Sequence, residues 1–514
     1  MAVFDTIVIG GGHNGLVTAG YLAKAGASVL VLEKQAIVGG ACITEETWPG
    51  FRINTFAYAS GLLRPQITRD LELARYGYEP ILSDPQQFVP FPDGRSLTFW
   101  LDDERTAKEI GLFSHRDARA YAKYVAYWDE VLDILEPMLM AAPPALGTFI
   151  DRFGGDRVET LLRDLFLRSA RDFLDDWFES EEVKGALASS AIIGAFVGPG
   201  TPGTAYILGH HSIGALEGHR KVWGHTRGGM GRLTEAMARS ATHHGAVIRT
   251  GVGVRRIVVQ GGRATGVETM EGELHEARAV ASSVDPKRTF LELLPPEAVD
   301  PDFAQRVRRI KAQGACLKFN TALSGLPTFR AGGPERLAGA VDISPSMDYL
   351  DRAFDEAKFG QFSRRPYIDA YFQTVADPSV APPGQHTMTC FVQYAPTALR
   401  TGAWEDAKPD VAETVLGTLE DYAPDVRAKV LHAEVITPQD IYQRLGMPGG
   451  NIDQGDITPD QIFSFRPLVG WAQYRTPIPG LFLCGSSTHP GGGVIGAPGH
   501  NAAHVILDEL KQAT

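Results

Sequence analysis

Short apolar runs alternate with an amphipathic stretch at the start of the chain and predict a strand–helix–strand unit. The uncharged, β-branched run at residues 6–9 is typical of a buried parallel strand. Apolar residues then recur at helical spacing over residues 16–23, and Gly26 ends that helix. A second buried strand follows at residues 28–32 and ends on Glu33. This order of elements is typical of a nucleotide-binding βαβ unit.

The turn between the first strand and the helix carries a G-x-G-x-x-G motif. Its glycines are Gly10, Gly12 and Gly15, with His13 and Asn14 between the last two. The first glycine permits the tight turn, the second lets the backbone approach a pyrophosphate, and the third allows the helix to pack on the strand. The N–H groups at the start of the helix face the phosphates. We therefore predict a dinucleotide site here.

A second glycine-rich segment follows the acid that ends the second strand. Glu33 lies where a carboxylate accepts hydrogen bonds from ribose hydroxyls, and an acid there disfavours a 2′-phosphate, so the ligand is FAD or NAD. After Lys34 comes a Gly-Gly-x-x-x-Thr segment that begins Gly39-Gly40-Ala41. This arrangement resembles the FAD-binding superfamily that includes amine oxidases and phytoene desaturases. The resemblance implies that the paired glycines let the chain pass close to the ribityl chain and flavin of FAD.

A third glycine cluster lies near the end of the sequence. A turn and a buried strand at residues 479–485 lead into a glycine-rich loop at 486–496 and then a helix. We predict that this loop closes over the same dinucleotide, with the cofactor-binding residues Gly485, Gly492, Gly493 and Val494. The segment 483–494 resembles the C-terminal signature of phytoene-desaturase-like flavoproteins.

The middle of the chain contributes more strands to the same domain. Residues 246–250 and 255–260 form strands, a Gly-Gly turn joins the second to residues 264–268 as a hairpin, and residues 277–284 form another strand. In the resembled family this block completes the FAD domain, and a valine, here Val254, meets the adenine through its backbone. We predict an α/β fold in which a discontinuous Rossmann-like FAD-binding domain of the glutathione-reductase type is interwoven with an α+β substrate domain. The FAD-binding domain takes residues 1–60, 223–300 and 456–514, and the substrate domain takes 61–222 and 301–455.

The substrate half carries one strong helix signal and one long uncharged segment. Ser114 and Asp117 predict the start of a helix that ends before Pro137. Residues 185–216 contain no Asp, Glu, Lys or Arg, which suits the wall of an apolar tunnel and, equally, a buried core segment. The apolar residues 138–140 suggest a third interpretation, a peripheral membrane contact.

The charge and cysteine content argue against several classes of function. The charge sum of 49 − 61 = −12 argues against a nucleic-acid partner, which needs clustered positive charge. The four cysteines lie far apart in the sequence, so we predict neither a redox disulfide nor a metal site. Dispersed thiols suit a reducing compartment, and the sequence has no apolar run of about 18 residues. We expect a cytoplasmic protein.

Over nearly its full length the chain resembles the phytoene-dehydrogenase-like NAD(P)/FAD-dependent oxidoreductases. The resemblance rests on the blocks at residues 12–17, 62–65 with 70–73, 210–231 and 489–496. It implies an FAD-dependent oxidase or desaturase that takes a hydride from a hydrophobic or amphipathic organic substrate and passes electrons to oxygen or a quinone. The alternatives are a flavin amine oxidase with an aromatic cage that includes Trp471 and Tyr474, a redox-neutral flavin-dependent isomerase, and a flavin-loaded scaffold of low turnover.

Few polar residues are candidates for catalysis. His489 lies in the predicted flavin loop, and His211 lies next to His210 in the uncharged segment. Lys318 alternates with apolar neighbours in a predicted strand, similar to the lysine that amine oxidases place near flavin N5. Arg227, beside a Gly-Gly pair, is either a phosphate or carboxylate contact or a solvated side chain. We take His489, Lys318 and His211 as the predicted catalytic residues.

Overall fold

The structure is a computed structural model that describes residues 3–512. The strands, numbered along the chain, are β1 Phe4–Ile9, β2 Val29–Glu33, β3 Thr44–Trp48, β4 Phe51–Asn54, β5 Pro80–Leu82, β6 Gln87–Pro90, β7 Ser96–Phe99, β8 Ala215–Leu216, β9 His219–Arg220, β10 Gly224–Thr226, β11 Val247–Thr250, β12 Val254–Gln260, β13 Arg263–Thr269, β14 Leu274–Ser282, β15 Cys316–Leu323, β16 Ala340–Ile343, β17 Tyr367–Tyr371, β18 His386–Gln393, β19 Val430–Ile436 and β20 Leu481–Leu483.

The α-helices are α1 His13–Lys24, α2 Pro65–Asp70, α3 Asp103–Gly111, α4 His115–Leu139, α5 Leu146–Phe153, α6 Asp156–Leu161, α7 Ala170–Trp177, α8 Glu181–Ala188, α9 Thr204–Ser212, α10 Gly231–His243, α11 Pro286–Arg288, α12 Pro301–Arg308, α13 Met347–Lys358, α14 Gln373–Ala376, α15 Trp404–Glu420, α16 Val426–Lys429, α17 Pro438–Leu445 and α18 Ala497–Gln512.

The first of two large sheets has the order β11-β2-β1-β14-β13-β12, and β20 pairs with β14. Strands β11, β2, β1, β14 and β20 are parallel, whereas β12 and β13 form an antiparallel extension. Because parallel strands need helical crossovers, this sheet is covered: α1 packs against α10 and α18. The predicted mixed α/β fold with a Rossmann-like unit is confirmed.

The second sheet has the order β19-β15-β18-β17-β16-β6-β7 and is antiparallel except where β16 meets β6. Its strands come from residues 87–99 and 316–436, whereas those of the first sheet come from residues 4–33, 247–282 and 481–483. Alternate side chains of a strand face opposite sides of a sheet. Apolar side chains on one side pack against α15, and those on the other belong to a core shared with α4, α7 and α8.

Helix α4 differs from its prediction at one end. The Ser114 side chain accepts the backbone N–H of Asp117 at 3.1 Å, so the predicted helix start is confirmed. The predicted end before Pro137 is wrong, since the helix continues to Leu139. A proline in the last turn removes only one helical hydrogen bond, and burial of the residues after it extends the helix.

The proposed membrane patch at residues 138–140 is also corrected. Met138 and Leu139 are buried and Met140 is partly buried, so these side chains are not available to a lipid surface. Within residues 3–512, no helix combines the length and apolarity needed to cross a bilayer.

Candidate functional site

The first glycine turn has the close packing that its sequence predicts. Gly10 has a φ of +94°, a conformation that L side chains rarely adopt. A Cβ on Gly15 would clash with the carbonyl oxygen of Gly10, so the helix can lie this close to the strand only with glycine here. The N-terminus of α1 therefore starts directly at the end of β1, where a phosphate group can reach its N–H groups.

Glu33 fixes the edge of this turn. It is buried, its Oε2 accepts the backbone N–H of Gly11 at 2.7 Å, and its Oε1 accepts that of Gln35 at 2.8 Å. A carboxylate has further lone pairs, and Glu33 also lines the cavity described below. The carboxylate is thus held in place with acceptor capacity left for ribose hydroxyls. Lys34, by contrast, is exposed.

The second glycine segment packs on the first. Gly12 and Gly39 form an isolated β-bridge, and a Cβ on Gly40 would lie 3.2 Å from the Cα of Gly12. A Cβ on Gly12 itself would meet nothing nearer than Gly40 Cα at 3.9 Å, because it would point into open space. Ala41 lines the same space. These residues form a cradle with backbone walls.

The residues between the glycines carry polar atoms without partners. His13 Nδ1 lies 3.7 Å from the Sγ of Cys42, and Asn14 Nδ2 donates to the Oγ of Ser486 at 3.1 Å. The other side-chain polar atoms, His13 Nε2 and Asn14 Oδ1, have no hydrogen-bond partner among the described residues. Burial lowers the pKa of His13 to about 4, so its ring is neutral at pH 7.

The C-terminal loop closes over the cradle. A Cβ on Gly485 would clash with the carbonyl oxygen of Ser283 at the end of β14, and a Cβ on Gly492 would clash with the carboxylate of Asp453. Gly493 and Val494 line the cavity, and Val494 has a φ of +62°, an uncommon conformation for a β-branched residue. The loop therefore approaches the predicted cofactor site mainly through its backbone and not through large side chains.

One continuous cavity of about 470 Å³ joins this cradle to the second sheet. Its cradle end is lined by Gly10, Gly12, His13, Asn14, Glu33, Gly40, Ala41, Gly493 and Val494. Its other end is lined by apolar and aromatic side chains, among them Trp100, Tyr121, Tyr124, Trp128, Leu187, Ile193, Leu208 and Phe391. The uncharged segment 185–216 contributes both cavity wall, as at Ile193, and buried core, as at Ile192.

A row of polar side chains crosses the floor of the second sheet. In the strand register, Lys318 of β15 lies opposite Phe391 of β18, Phe391 opposite Asp369 of β17, and Asp369 opposite Asp342 of β16. Residues opposite one another across strands share a face of the sheet. All four line the cavity, and Lys318, Asp369 and Asp342 are each at most 4% exposed.

Tyr58 connects the row to the cradle side of the cavity. Its hydroxyl donates to Asp369 Oδ2 at 2.6 Å, and its ring centroid lies 3.7 Å from Lys318 Nζ. Neither Lys318 Nζ nor Asp369 Oδ1 has a hydrogen-bond partner among the described residues. Burial lowers the pKa of Lys318 to about 7, which makes its amine able to exchange a proton near neutral pH.

The predicted histidines and Arg227 have different surroundings. His211 lines the cavity, and its Nδ1 lies 3.0 Å from the carbonyl oxygen of Ile207. His489 does not line the cavity, its Nε2 lies 2.9 Å from the carbonyl oxygen of Met138, and burial lowers its pKa to about 4. These contacts favour a structural role for His489 over the catalytic one. Arg227 pairs with Glu79 at 2.6 Å on the surface, so it is the solvated alternative.

The predicted aromatic cage is absent, and the predicted adenine contact of Val254 stays a prediction. Trp471 and Tyr474 do not form a cage in the cavity: Trp471 packs edge-on against Phe303, and Tyr474 is fully buried with its hydroxyl donating to the carbonyl of His489 at 2.8 Å. Both aromatic residues pack in the first domain because their neighbours there are apolar. Val254 begins β12, and its contact with adenine stays a prediction.

The sequence reasoning missed Asp342, Asp369, Tyr58 and the buried Arg466. Both aspartates stand in the middle of otherwise apolar strands, AVDI and YIDAY, and a lone acid in such a run was a usable signal. Arg466 donates to the carbonyl oxygens of Asp453 at 2.7 Å and Ser486 at 2.8 Å. It ties the segment around Asp453 to the loop after β20, an arrangement that no local pattern indicates.

The residues of the cradle fit a bound FAD. The space beside Gly12 is bounded by backbone, Glu33 retains acceptor capacity, and His13 and Asn14 present unpartnered polar atoms. The cysteines do not suit dithiol chemistry: all four are buried and free, and burial raises the pKa of each thiol to about 12. No group of His, Cys, Asp or Glu among residues 3–512 is arranged to hold a metal ion.

Comparison with known proteins shows which family the chain belongs to. Residues 8–67 match the NAD(P)-binding Rossmann-like domain family. Pyridine nucleotide-disulfide oxidoreductase domain-containing protein 2 of Rattus norvegicus is 38% identical over 99% of this chain and 94% of the relative. The chain belongs to this family.

More distant relatives agree with the wider resemblance. Phytoene desaturase (lycopene-forming) of Pseudescherichia vulneris is 25% identical over 98% of this chain and 99% of the relative. The crystal structure of an oxidoreductase from Methanosarcina mazei superposes with a TM-score of 0.63 at 18% identity, over 98% of this chain and 99% of that one, and shows the shared fold. The predicted phytoene-dehydrogenase-like family, the oxidoreductase class and FAD as cofactor are confirmed.

Proposed function

We propose that this FAD-dependent oxidoreductase takes a hydride from a hydrophobic or amphipathic organic molecule and passes the electrons to oxygen or a quinone. The observation that carries the proposal is the single cavity that joins the dinucleotide cradle to apolar and aromatic walls. FAD, when bound, supplies the hydride acceptor. The protein supplies the position of the substrate, the exclusion of water and a place for the proton.

The cavity walls support an apolar substrate. Trp128 and Leu208 are almost fully buried in the protein and still line the cavity, so a bound substrate would contact their apolar surface. A relative of the chain is named as a phytoene desaturase, which is consistent with an apolar substrate here. The absent aromatic cage at Trp471 and Tyr474 weighs against the amine oxidase alternative.

Lys318 is the residue best placed to accept a proton. Its Nζ is buried, faces the cavity and has no hydrogen-bond partner among the described residues. With a pKa of about 7, both the neutral amine and the ammonium form are populated near neutral pH, and a general base works best when its pKa lies near the working pH. His211 lines the same cavity, but burial lowers its pKa to about 4.

The state of the thiols supports a small diffusible electron acceptor. Because the four cysteines are buried, separate and held as thiols, no protein dithiol can relay electrons, as a disulfide reductase would require. A small diffusible acceptor, oxygen or a quinone, takes the electrons directly.

The test is anaerobic reduction of the flavin-loaded protein by a substrate panel, followed by admission of oxygen or a quinone. Bleaching of the flavin absorbance by polyenes or lipophilic alcohols, and its return with an acceptor, is the expected result. Bleaching by amines alone supports an amine oxidase, product without net reduction supports an isomerase, and no response to any class supports a scaffold.

A matched pair of variants tests whether the substrate that reduces the flavin binds in this cavity. Ser190→Phe adds bulk to the cavity wall, and Leu112→Phe changes a side chain that is 73% exposed and lies outside it. We expect Ser190→Phe to keep its FAD and to slow bleaching about tenfold or more, because displacing a substrate by about 1 Å has effects of this size. Leu112→Phe should match the parent. Equal bleaching by both variants would argue that the substrate binds elsewhere.

A further inference from the structure

The row of Lys318, Asp369 and Asp342 has no part in holding the cofactor cradle, yet all three side chains are buried and line the cavity. Burying three ionisable side chains next to one another lowers the stability of the fold unless each is paired or neutralised. Their hydrogen bonds show which of them are satisfied and which face the cavity with capacity to spare.

Asp342 is the satisfied acid. Its Oδ2 accepts from Gln87 Nε2 at 2.5 Å and Ser189 Oγ at 3.2 Å, and its Oδ1 accepts from the Tyr367 hydroxyl at 3.0 Å. The Ser189 hydroxyl has a single hydrogen and also lies 2.8 Å from the carbonyl oxygen of Ala186, so Gln87 and Tyr367 are the two nearer donors. Hydrogen bonds donated to a carboxyl group stabilise its ionised form. Asp342 therefore holds the negative charge of the row.

Asp369 is the protonated acid. It accepts one hydrogen bond, from Tyr58, and no described residue donates to its Oδ1, but its carboxyl group lies within hydrogen-bond reach of that of Asp342. Burial and the neighbouring charge of Asp342 raise the pKa of Asp369 well above its usual range. Two adjacent buried carboxyl groups cannot both ionise, and the one with fewer donors keeps the proton. Asp369 thus has a carboxyl O–H, which lies within reach of Asp342 and of a ligand oxygen in the cavity.

Lys318 supplies the second donor. Its Nζ lies over the Tyr58 ring at 3.7 Å and has no hydrogen-bond partner among the described residues. The Tyr58 hydroxyl reaches Asp369, so one side chain spans both donors. Two buried donors face one cavity, and Lys318 has no acceptor among the described residues, so a ligand atom that accepts from both would complete the site.

We infer that Lys318, Asp369 and Tyr58 form a subsite for an uncharged oxygen of the substrate, a hydroxyl or carbonyl on an apolar skeleton. A carbonyl oxygen has two lone pairs and accepts one hydrogen bond from each donor. This inference rests on the proposed function and names its substrate class: an oxygenated, otherwise apolar molecule.

The charges in the row disfavour an ammonium or a carboxylate group of the substrate at this subsite. An ammonium group would need the Tyr58 face that Lys318 occupies, next to a second cationic group. A carboxylate would bring another negative charge beside Asp342 in a cavity of low dielectric. The neutral oxygen is the group that both donors can bind without adding a buried charge.

The experiment is calorimetric binding to the oxidised, flavin-loaded protein, with four probes on one phenylalkyl skeleton. These are benzylacetone, butylbenzene, phenylpropylamine and phenylpropionate. We expect benzylacetone to bind about tenfold more tightly than butylbenzene, the effect of one or two well-made hydrogen bonds. Equal affinity of the ketone and the hydrocarbon, or preference for the amine or the acid, overturns the subsite.

Three variants assign the preference to the row. Lys318→Met and Asp369→Leu each remove a donor at similar volume and should abolish the preference for the ketone, with butylbenzene affinity unchanged. Asp369→Asn keeps an N–H donor and a Tyr58 acceptor and should restore the preference. If Asp369→Asn loses it as fully as Asp369→Leu, the acid acts as an anion and the inference is wrong.

Binding is measured without turnover, so the two proposals fail separately. A protein whose flavin no substrate bleaches, but which still prefers benzylacetone, loses the proposed function and keeps the subsite. A protein whose flavin is bleached by polyenes, but which shows no ketone preference in any variant, keeps the function and loses the subsite. Should Asp369→Leu not fold, Lys318→Met and Asp369→Asn still decide the question.

Discussion

The two ends of the cavity are built in opposite ways. The cradle end is made largely of backbone: Gly12 and Gly40 pack together, and the side chains that line it are few, chiefly His13, Asn14 and Glu33. The far end is made of side chains from one face of the second sheet and from helices such as α4 and α9, with Lys318, Asp369 and Asp342 among its polar members. The first end therefore recognises a large ligand by shape and N–H groups, and the second recognises a small group by position and charge.

This difference has a consequence for how each end tolerates change. A backbone cradle is insensitive to most substitutions but cannot accept a side chain where the ligand must lie. A row of buried polar side chains carries a cost in stability that an apolar replacement removes. Substitutions should therefore affect cofactor binding at the cradle, and both stability and substrate binding at the row.

Gly12→Val should have the largest effect. Gly12 has φ −70° and ψ 169°, which suit valine, and a Cβ there meets no atom nearer than 3.9 Å, so the fold should persist. The side chain would instead fill the space where the backbone approaches the pyrophosphate. We expect FAD affinity to fall by about 100-fold or more, a loss of about 2.7 kcal/mol. The flavin-to-protein absorbance ratio and titration of the apoprotein with FAD measure this.

Gly417→Ala is the control for the glycine change. Gly417 lies within α15, and a Cβ added there would meet no atom within 4 Å, so the variant should bind FAD as the parent does and gain slightly in helix stability. Normal FAD content in Gly12→Val would show that the cofactor does not lie against this turn.

Glu33→Gln should have the next largest effect. The amide keeps the size of the side chain but replaces one acceptor oxygen with a donor, so it loses a backbone partner, Gly11 or Gln35, and a ribose contact. Hydrogen bonds to charged groups contribute about 1.5–3 kcal/mol, which predicts a fall in FAD affinity of roughly 10- to 100-fold. The same titration measures it, with the exposed Glu271→Gln as control. An unchanged affinity would remove Glu33 from the ribose site.

The same contrast explains what the sequence could reveal. Gly10, Gly12, Gly15 and Glu33 lie within a single βαβ unit, so spacing alone indicates their roles, and the Rossmann-like fold follows from that pattern. The Asp342–Asp369 pair depends on the register between β16 and β17.

Other long-range contacts were hidden for the same reason. Lys318 is predictable as a buried lysine, but its position over Tyr58 joins residues 260 positions apart in the sequence (318 − 58). His489 lies within a family-like motif, yet its contact with Met138 is set by the packing of α4. A motif identifies the loop, and only the assembled fold shows which of its side chains reach the cavity.

Lys318→Met should raise stability, with a defined pH dependence. The pKa of Lys318 is lowered from an ordinary 10.5 to about 7, so between these values the unfolded chain binds the proton more readily than the folded one. The cost to stability is fully present below pH 7, declines as the pH rises, and is absent above about pH 10.5. The gain in Tm of Lys318→Met over the parent should therefore be largest at pH 6 and shrink towards pH 10.

Thermal melts of the apoprotein across that pH range make the measurement. Lys358→Met changes a lysine on α13 that is half exposed and paired with Asp355, and it should show no such pH-dependent gain. A Tm gain for Lys318→Met that is constant with pH, or a loss, would mean that the amine has a partner in solution that offsets its burial.

Arg227→Ala should have the smallest effect, and it tests where the cradle ends. Arg227 lies beside the Gly228-Gly229 pair, but its side chain is 47% exposed and pairs with the exposed Glu79. The buried Asp377 behind it lies 3.8 Å from an Arg227 nitrogen, but it also accepts the backbone N–H of Gly228 at 2.6 Å and is bonded to Ser379, so it keeps these hydrogen bonds without the arginine. Surface ion pairs of this kind contribute little to stability. FAD affinity and Tm should therefore match the parent, whereas a loss of FAD affinity of about tenfold would extend the phosphate site to this surface and make the cradle depend on a side chain after all.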